Sequence, residues 1–416
     1  MKLGSDNVNL SLLLFRSHRN TIMALSNLFD FNTPIDRKGT WCTQWDYVQD
    51  RFGIANLVPF TISDMDFKIA PCIEEALHRR ISHGVLGYSR WQNEEYLEAI
   101  KYWYSSQFNA TIDTNMIVYG PSVIYMVAKL INLWSQQNDS IVVHTPAYDA
   151  FYKTIIGNKR KIEASPLIKR DNSWYCDMNY LETLLAKKEV KILLLCNPHN
   201  PTGKVWSKEE LAIIAALCEK YHVNVISDEI HMDMVWKGSH NPWCQHGKNS
   251  WAVLSSASKS FNIPALTGAY GLIQCEKTRE NYLNQIKACD GVSSPAVLSL
   301  VATIAAYKEG HIWLHELKNY LYNNLDFVAQ QLNHAFPQLD YAIPDSTYLA
   351  WIDLRKINID DIKLQENLIH EQGVAIMPGY TYGPEGNQFL RLNIGCPRSK
   401  VETGVNAIIN AIKALE

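Results

Sequence analysis

No stretch of a single charge sign runs through the 416 residues; 39 Lys and Arg are interspersed with 42 Asp and Glu, for a formal net charge of −3. That balance offers no basic surface for nucleic acid or for an anionic membrane. Long apolar runs are missing too. Ser11-Leu12-Leu13-Leu14-Phe15 is too short to span a bilayer, and the lone Lys2 ahead of it makes a poor start to a secretory signal. The nine cysteines are odd in number and include no Cys-x-x-Cys pair, which argues against a disulfide framework or a zinc ribbon and for a reducing, cytoplasmic setting. His240, Cys244 and His246 match no ligand spacing, so no metal is expected. Internal repeats, low-complexity blocks and linkers rich in Pro, Gly and Ser are absent, which excludes solenoids and beaded domain arrays.

What the chain does have is apolar mass. At 47% hydrophobic residues it can bury large cores, and its length suggests two or three domains. Between residues 110 and 275, helical patterns alternate with short apolar runs: Asn115-Met116-Ile117-Val118-Tyr119, Ser140-Ile141-Val142-Val143-His144, Lys191-Ile192-Leu193-Leu194-Leu195-Cys196, Val223-Asn224-Val225-Ile226-Ser227 and Trp251-Ala252-Val253-Leu254. Continuous apolar runs predict strands covered on both faces, hence an α/β fold with a mostly parallel sheet. Ser207-Lys208-Glu209-Glu210 has the form of a capping box and predicts a helix after it. Leu314, Leu317, Leu321, Leu325, Val328 and Leu332 predict one amphipathic helix from Gly310 to about Phe336. Beyond it, Tyr348-Leu349-Ala350-Trp351-Ile352-Asp353-Leu354, Val374-Ala375-Ile376-Met377 and Phe389-Leu390-Arg391-Leu392-Asn393 read as strands of a smaller α+β unit. The expected division is a disordered extension over 1–28, with Met23 an equally good first residue, a large domain over 76–310, and a small domain over 29–75 and 311–416.

Polar residues gather where the predicted strands end, which is where open α/β sheets bind ligands. Asn197-Pro198-His199-Asn200-Pro201-Thr202-Gly203 follows one strand, Asp228-Glu229-Ile230-His231 ends the next, and Lys259 follows the third. A lysine there can condense with an aldehyde and an aspartate can pair with a protonated pyridine, the two demands of a pyridoxal ring acting as electron sink. Asn200 and His231 would reach the ring oxygen. Gly120-Pro121-Ser122-Val123-Ile124-Tyr125, at a strand end and helix start, offers backbone N–H groups and a hydroxyl to a phosphate, and Tyr148 offers a face for stacking. Taken singly, each residue has a plainer reading: a solvated Lys259, a turn-capping Asp228, a core His231, an ion-paired Arg391, packing aromatics at Tyr88 and Tyr148. Ser256-x-x-Lys259 also fits the S-x-x-K of penicillin-binding proteins, but their K-T-G triplet is absent.

The three strand-end segments together with Phe389-Leu390-Arg391-Leu392-Asn393, spaced 28 residues from Asn200 to Asp228 and 31 from Asp228 to Lys259, resemble the fold-type I pyridoxal-phosphate enzymes of the class I/II aminotransferase family. Gly39-Thr40-Trp41-Cys42-Thr43-Gln44-Trp45-Asp46, Thr61-Ile62-Ser63-Asp64-Met65-Asp66-Phe67, His83-Gly84-Val85-Leu86-Gly87-Tyr88-Ser89 and Ser260-Phe261-Asn262-Ile263-Pro264-Ala265 resemble its cystathionine β-lyase branch. The likeness runs from Phe29 to the C-terminus. It implies a large domain on a mostly parallel seven-stranded sheet, a smaller α+β domain, and pyridoxal 5'-phosphate as cofactor.

Carried over by position, the resemblance implies Lys259 as the Schiff-base lysine and proton shuttle and Asp228 as the pyridinium partner. Asn200 and His231 would serve the ring oxygen, Tyr148 would stack on the ring, and Ser122, Val123 and Ser256 would hold the phosphate. Arg391 would bind the substrate carboxylate, and Tyr88 would reach the cofactor of a neighbouring subunit, making a homodimer with shared active sites. Thr267 stands where many relatives carry an arginine for the phosphate, and no second arginine is assigned to a side-chain carboxylate. The implied activity is α,β-elimination on an amino acid with sulfur at Cβ, such as L-cystathionine. Transamination uses the same residues. The resemblance also implies a regulatory partner, a transcription activator of the maltose system, alongside catalysis.

Overall fold

The computed structural model describes residues 29–416; the expected extension over 1–28 lies outside the described residues. Twelve strands are formed among them: β1 (Val58–Phe60), β2 (Ile117–Gly120), β3 (Ser140–Thr145), β4 (Lys161–Arg170), β5 (Ser173–Cys176), β6 (Val190–Cys196), β7 (Asn224–Asp228), β8 (Trp251–Ser255), β9 (Ala269–Ile273), β10 (Leu349–Asp353), β11 (Val374–Pro378) and β12 (Phe389–Asn393). One sheet has the order β2-β9-β8-β7-β6-β3-β4-β5 and the other the order β1-β11-β12-β10.

The apolar runs become the interior of the larger sheet. Strands β3, β6, β7 and β8 run parallel to one another through registers such as Ile141↔Ile192, Ile192↔Asn224 and Val225↔Trp251. Every residue of β3 and β8 is buried, as expected when helices cover both faces. Two additions were not read from the sequence. Strand β9 enters antiparallel between β8 and β2. The expected seven strands are also joined by an eighth, β5, which folds back on the long β4 with Arg170 opposite Ser173. The two residues between them, Asp171 and Asn172, have φ of 45° and 60°, the left-handed pair that a tight hairpin needs and that Asp and Asn tolerate best.

The helix opened by the capping box runs Lys208–Lys220, with the Ser207 and Glu210 side chains bonded reciprocally to backbone N–H groups. The long amphipathic helix runs His311–Ala335, and all six residues that predicted it are buried. It packs beside the helix Arg398–Lys413, and Asn324 on it donates to the carbonyls of Ile394 and Cys396 at 3.1 and 2.9 Å. The smaller sheet is assembled from both ends of the described chain, since β1 pairs parallel with β11 (Val58↔Val374) while β10, β12 and β11 are antiparallel. Residues 61–67, directly after β1, are bonded both to Asn262, in the loop that follows β8, and to Asn393 on β12. Among the described residues no helix is long and apolar enough to cross a membrane.

Candidate active site

The carboxyl ends of β6, β7 and β8 are stitched to one another before any side chain is considered. Asn197 N–H donates to the Asp228 carbonyl at 2.9 Å and Glu229 N–H to the Leu254 carbonyl at 2.8 Å. The turn after β6 is closed by His199, whose Nδ1 lies 2.8 Å from Thr202 Oγ1, and by Trp206, whose Nε1 donates to the Cys196 carbonyl at 2.9 Å. That turn presents Asn200. Successive acids at the end of β7 face opposite ways. Glu229 accepts from Ser227 Oγ and Trp243 N–H, both at 2.8 Å, and meets His240 Nε2 at 2.9 Å in a buried network. Asp228 faces the cavity, where its Oδ1 accepts only from Ile230 N–H at 3.1 Å.

A cavity of about 200 Å3 is bounded by these strand ends and by the start of the helix Val123–Trp134. Ser122 caps that helix, its side chain accepting from Tyr125 N–H at 3.2 Å, which leaves the first backbone N–H groups, starting at Val123, open toward the cavity. Lys259, Asp228, Asn200, His231, Tyr148, Ser122, Val123 and Ser256 all line it. It adjoins a larger cavity of about 930 Å3 that shares Lys259 and Tyr148 and is walled by Arg391 from β12. Tyr88 is the one expected site residue found elsewhere: it is 100% exposed and lines neither cavity.

The charges in this site are poorly matched to one another. Asp228 is 4% exposed, and burial, with the Glu229 charge adding to it, pushes its carboxyl up to about 7 against the pull of Lys259. Burial drives the Lys259 amine below its ordinary value, and Arg391 adds to this while Asp64 and Asp228 oppose it. Among the described residues nothing hydrogen-bonds its Nζ. Burial, with the cations Lys259 and Arg391, lowers His231 to about 3, so its ring is neutral, and its buried Nδ1 has no partner. Arg391, 4% exposed, donates to Asn200 Oδ1 at 3.3 Å and to the Thr61 carbonyl and lies over the Tyr382 ring. No carboxylate pairs with it among the described residues, and its buried Nε is unsatisfied. A buried guanidinium without an anion, a carboxylate without a cation and an orphaned imidazole nitrogen around one cavity are the complement of a bound group that supplies all three partners.

Pyridoxal phosphate fits that complement, with a pyridine nitrogen for Asp228, a ring oxygen within the reach of Asn200 and His231, and an aldehyde for Lys259. The phosphate cradle differs from expectation in detail. Ser256 Oγ already donates to the Gly268 carbonyl at 2.7 Å and accepts from Ser258 N–H at 3.1 Å, so its hydrogen is spent on shaping the turn. Ser258 and Thr267 line the same cavity and have hydroxyls with no partner among the described residues. Thr267 holds φ at 34°, a strained value for a β-branched residue that marks a constrained position.

Sequence reading also missed Ser63, Asp64 and Arg51. The segment 61–67 is held in place by Asn262, whose side chain bonds Met65 N–H at 2.9 Å and the carbonyls of Met65 and Phe67 at 2.9 and 2.8 Å, and by Asn393, which donates to the Ile62 and Asp64 carbonyls. The fold brings two further arginines, Arg37 and Arg51, to the larger cavity, where the sequence offered none.

A profile of the family described as "Aminotransferase class I and II" matches residues 55–408. Protein MalY of Escherichia coli (strain K12) is 60% identical over 389 residues, 93% of this chain and 100% of that protein. Cystathionine beta-lyase PatB of Bacillus subtilis (strain 168) is 31% identical over 388 residues, 92% of this chain and 100% of that protein. Among solved structures, cystalysin from Treponema denticola, which contains a pyridoxal 5'-phosphate cofactor, is similar with a TM-score of 0.88 at 29% identity, covering 94% of this chain and 100% of that one.

Proposed function

The chain belongs to the aminotransferase class I and II family, and from that premise we propose that it is a carbon–sulfur β-lyase that cleaves L-cystathionine and related S-substituted cysteines to a thiol, pyruvate and ammonia. Pyridoxal 5'-phosphate is its cofactor. The Bacillus subtilis relative, a cystathionine β-lyase, aligns with nearly the whole chain. The observation that carries the reading to the residues is the buried Arg391, with no protein anion, beside a lysine whose burial favours the neutral amine.

When bound, the cofactor supplies an electron sink next to the substrate Cα. Lys259 would hold its aldehyde carbon, Asp228 its pyridine nitrogen, and Tyr148 one face of its ring. Asn200 and His231 would hold the ring oxygen, and the N–H groups from Val123 onward, Ser122, and the Ser256 turn with Ser258 and Thr267 would hold the phosphate. Arg391 grips the substrate α-carboxylate as a two-pronged donor, which fixes the direction of the Cα–H bond relative to Lys259. The substrate amine would take the place of Lys259 on the aldehyde carbon, and the Lys259 amine so freed, neutral in this setting, would take the Cα proton. The Cβ–S bonding pair leaves with sulfur, and the proton held on Nζ is placed to neutralise the departing thiolate. The released enamine hydrolyses to pyruvate and ammonia. A neutral His231 avoids a third positive charge beside Lys259 and Arg391.

Further parts of this proposal are a cytoplasmic setting, a homodimer and a transcription-activator partner of the maltose system. The dimer is supported by the exposed apolar side chains of Ile81, Val85, Leu86 and Tyr88, clustered in one short stretch of chain that a second copy would cover. Lys259→Ala is expected to abolish pyruvate release from L-cystathionine while the protein stays folded; undiminished release would sink the scheme. Transfer of the amino group to an added keto acid, with no thiol formed, would instead identify a transaminase.

A further inference from the structure

The larger cavity, about 930 Å3, is far roomier than the reacting atoms require, and two of the cations on its wall are already paired with carboxylates. Arg37 is paired to Asp64 at 2.6 Å and to Asp66 at 2.8 Å. Lys153 is paired to Asp149 at 2.7 Å. Lys68 is exposed at the rim, while Lys259 and Arg391 belong to the inner site. Arg51 is different. One of its nitrogens donates to the thioether sulfur of Met377 at 3.4 Å, a weak acceptor. Its nearest carboxylate is Asp149 at 4.0 Å, which Lys153 already holds more closely. A guanidinium has five donors, and most of those on Arg51 have no partner among the described residues.

Its position adds meaning to that shortfall. Met377 on β11 is directly opposite Arg391 on β12, and side chains so paired start roughly 5 Å apart. Arg51 reaches Met377 from the helix Val48–Phe52, so the two arginines stand on either side of one methionine. The inner one is buried beside Lys259, and the outer one, with a side chain 44% exposed, faces the roomier part of the cavity. A substrate whose α-carboxylate sits on Arg391 and whose Cα sits under Lys259 can extend its sulfur substituent only into this larger space.

We propose that Arg51 binds a carboxylate at the far end of the sulfur substituent, so that the chain selects cysteine thioethers whose leaving thiol is itself an acid, such as an amino-acid thiol. This rests on the lyase reading and deepens it. Arg51 is a specificity-determining residue, with no part in the bond changes.

The test compares S-(2-carboxyethyl)-L-cysteine with S-propyl-L-cysteine, which lacks the distal carboxylate, in the cofactor-loaded protein. Arg51→Gln is expected to lower the ratio of kcat/KM for the acid over that for the propyl thioether roughly tenfold, mainly through KM, since a single charge-assisted contact at a half-exposed site is lost. Arg51→Lys, keeping the charge but not the fork, should recover part of the ratio. Calorimetric titration of the acid into Lys259→Ala and into Lys259→Ala with Arg51→Gln should show about the same tenfold weakening without turnover. An unchanged ratio, or equal affinities in the two titrated proteins, overturns the proposal. Wild-type protein that cleaves neither thioether would instead defeat the lyase reading itself, and this inference with it.

Discussion

In the cofactor-free chain Asp228 is a carboxyl raised by burial from 3.8 to about 7, so between about pH 4 and 7 the folded state holds a proton that the unfolded chain has released. Stability from this group is therefore fully present below its unfolded value and is lost as pH rises through 7. Asp228→Asn removes the titration. The cofactor-free variant is expected to match wild type in thermal unfolding near pH 3 and to exceed it at pH 8, by as much as about 4 kcal/mol if the whole shift is expressed, while its β-lyase activity is lost. Equal melting temperatures at both pH values would show that some other charge already neutralises the carboxylate. The same residue shows what a sequence can disclose. The position of Asp228 at a strand end was legible, because an apolar run stops there; that Glu229, its neighbour, serves His240 and Trp243 instead was not, because the alternation of a strand is visible only once its two faces are assigned. Arg51 had no signal, since it reaches the site through Met377, 326 residues away in the chain; the segment holding Ser63 and Asp64 was legible as a family likeness but its place at the site was not, because that place is set by Asn262 bonding Met65 and Asn393 bonding the Asp64 carbonyl.

The elements that carry the chemistry were the readable ones. Strands β3, β6, β7 and β8 are buried on both faces, which produces unbroken apolar runs, and the helix Lys208–Lys220 has its capping box written in sequence. The unread elements break those rules for physical reasons. β1 has three residues, one of them Pro59, at a sheet edge; β9 contains Gly271; β4 outruns its parallel neighbour and alternates irregularly once past it. The join of β2 to its helix is the most demanding. A Cβ on Gly120 would stand 2.4 Å from Met126 Cγ and 2.9 Å from the Tyr282 hydroxyl, so the turn that aims the helix N-terminus at the cavity closes only on glycine. Gly120→Ala should destabilise by about 1–3 kcal/mol through overpacking and weaken pyridoxal phosphate binding, measured by equilibrium dialysis. Unaltered affinity would mean that the helix start tolerates the displacement.

Across the whole molecule the reacting groups are divided between the two sheets, with Lys259 and Asp228 on the larger and Arg391 on the smaller, and Tyr88 is held out in solvent. If Tyr88 completes the site of a second copy, two individually impaired proteins should rescue each other. Lys259→Ala and Tyr88→Ala chains, unfolded and refolded together, should regain about a quarter of wild-type activity, because half the dimers are mixed and each mixed dimer has one intact site. No gain over the unmixed proteins would exclude shared sites. The pairing of β1 with β11 has a further consequence, for synthesis. Val58 waits for Val374 while more than 300 intervening residues leave the ribosome, so an edge of the smaller sheet is unclaimed for most of translation, when nascent chains are most open to misassembly. A ribosome stalled before residue 374 therefore displays a chain that already has Lys259 and Asp228 but has yet to receive Arg391.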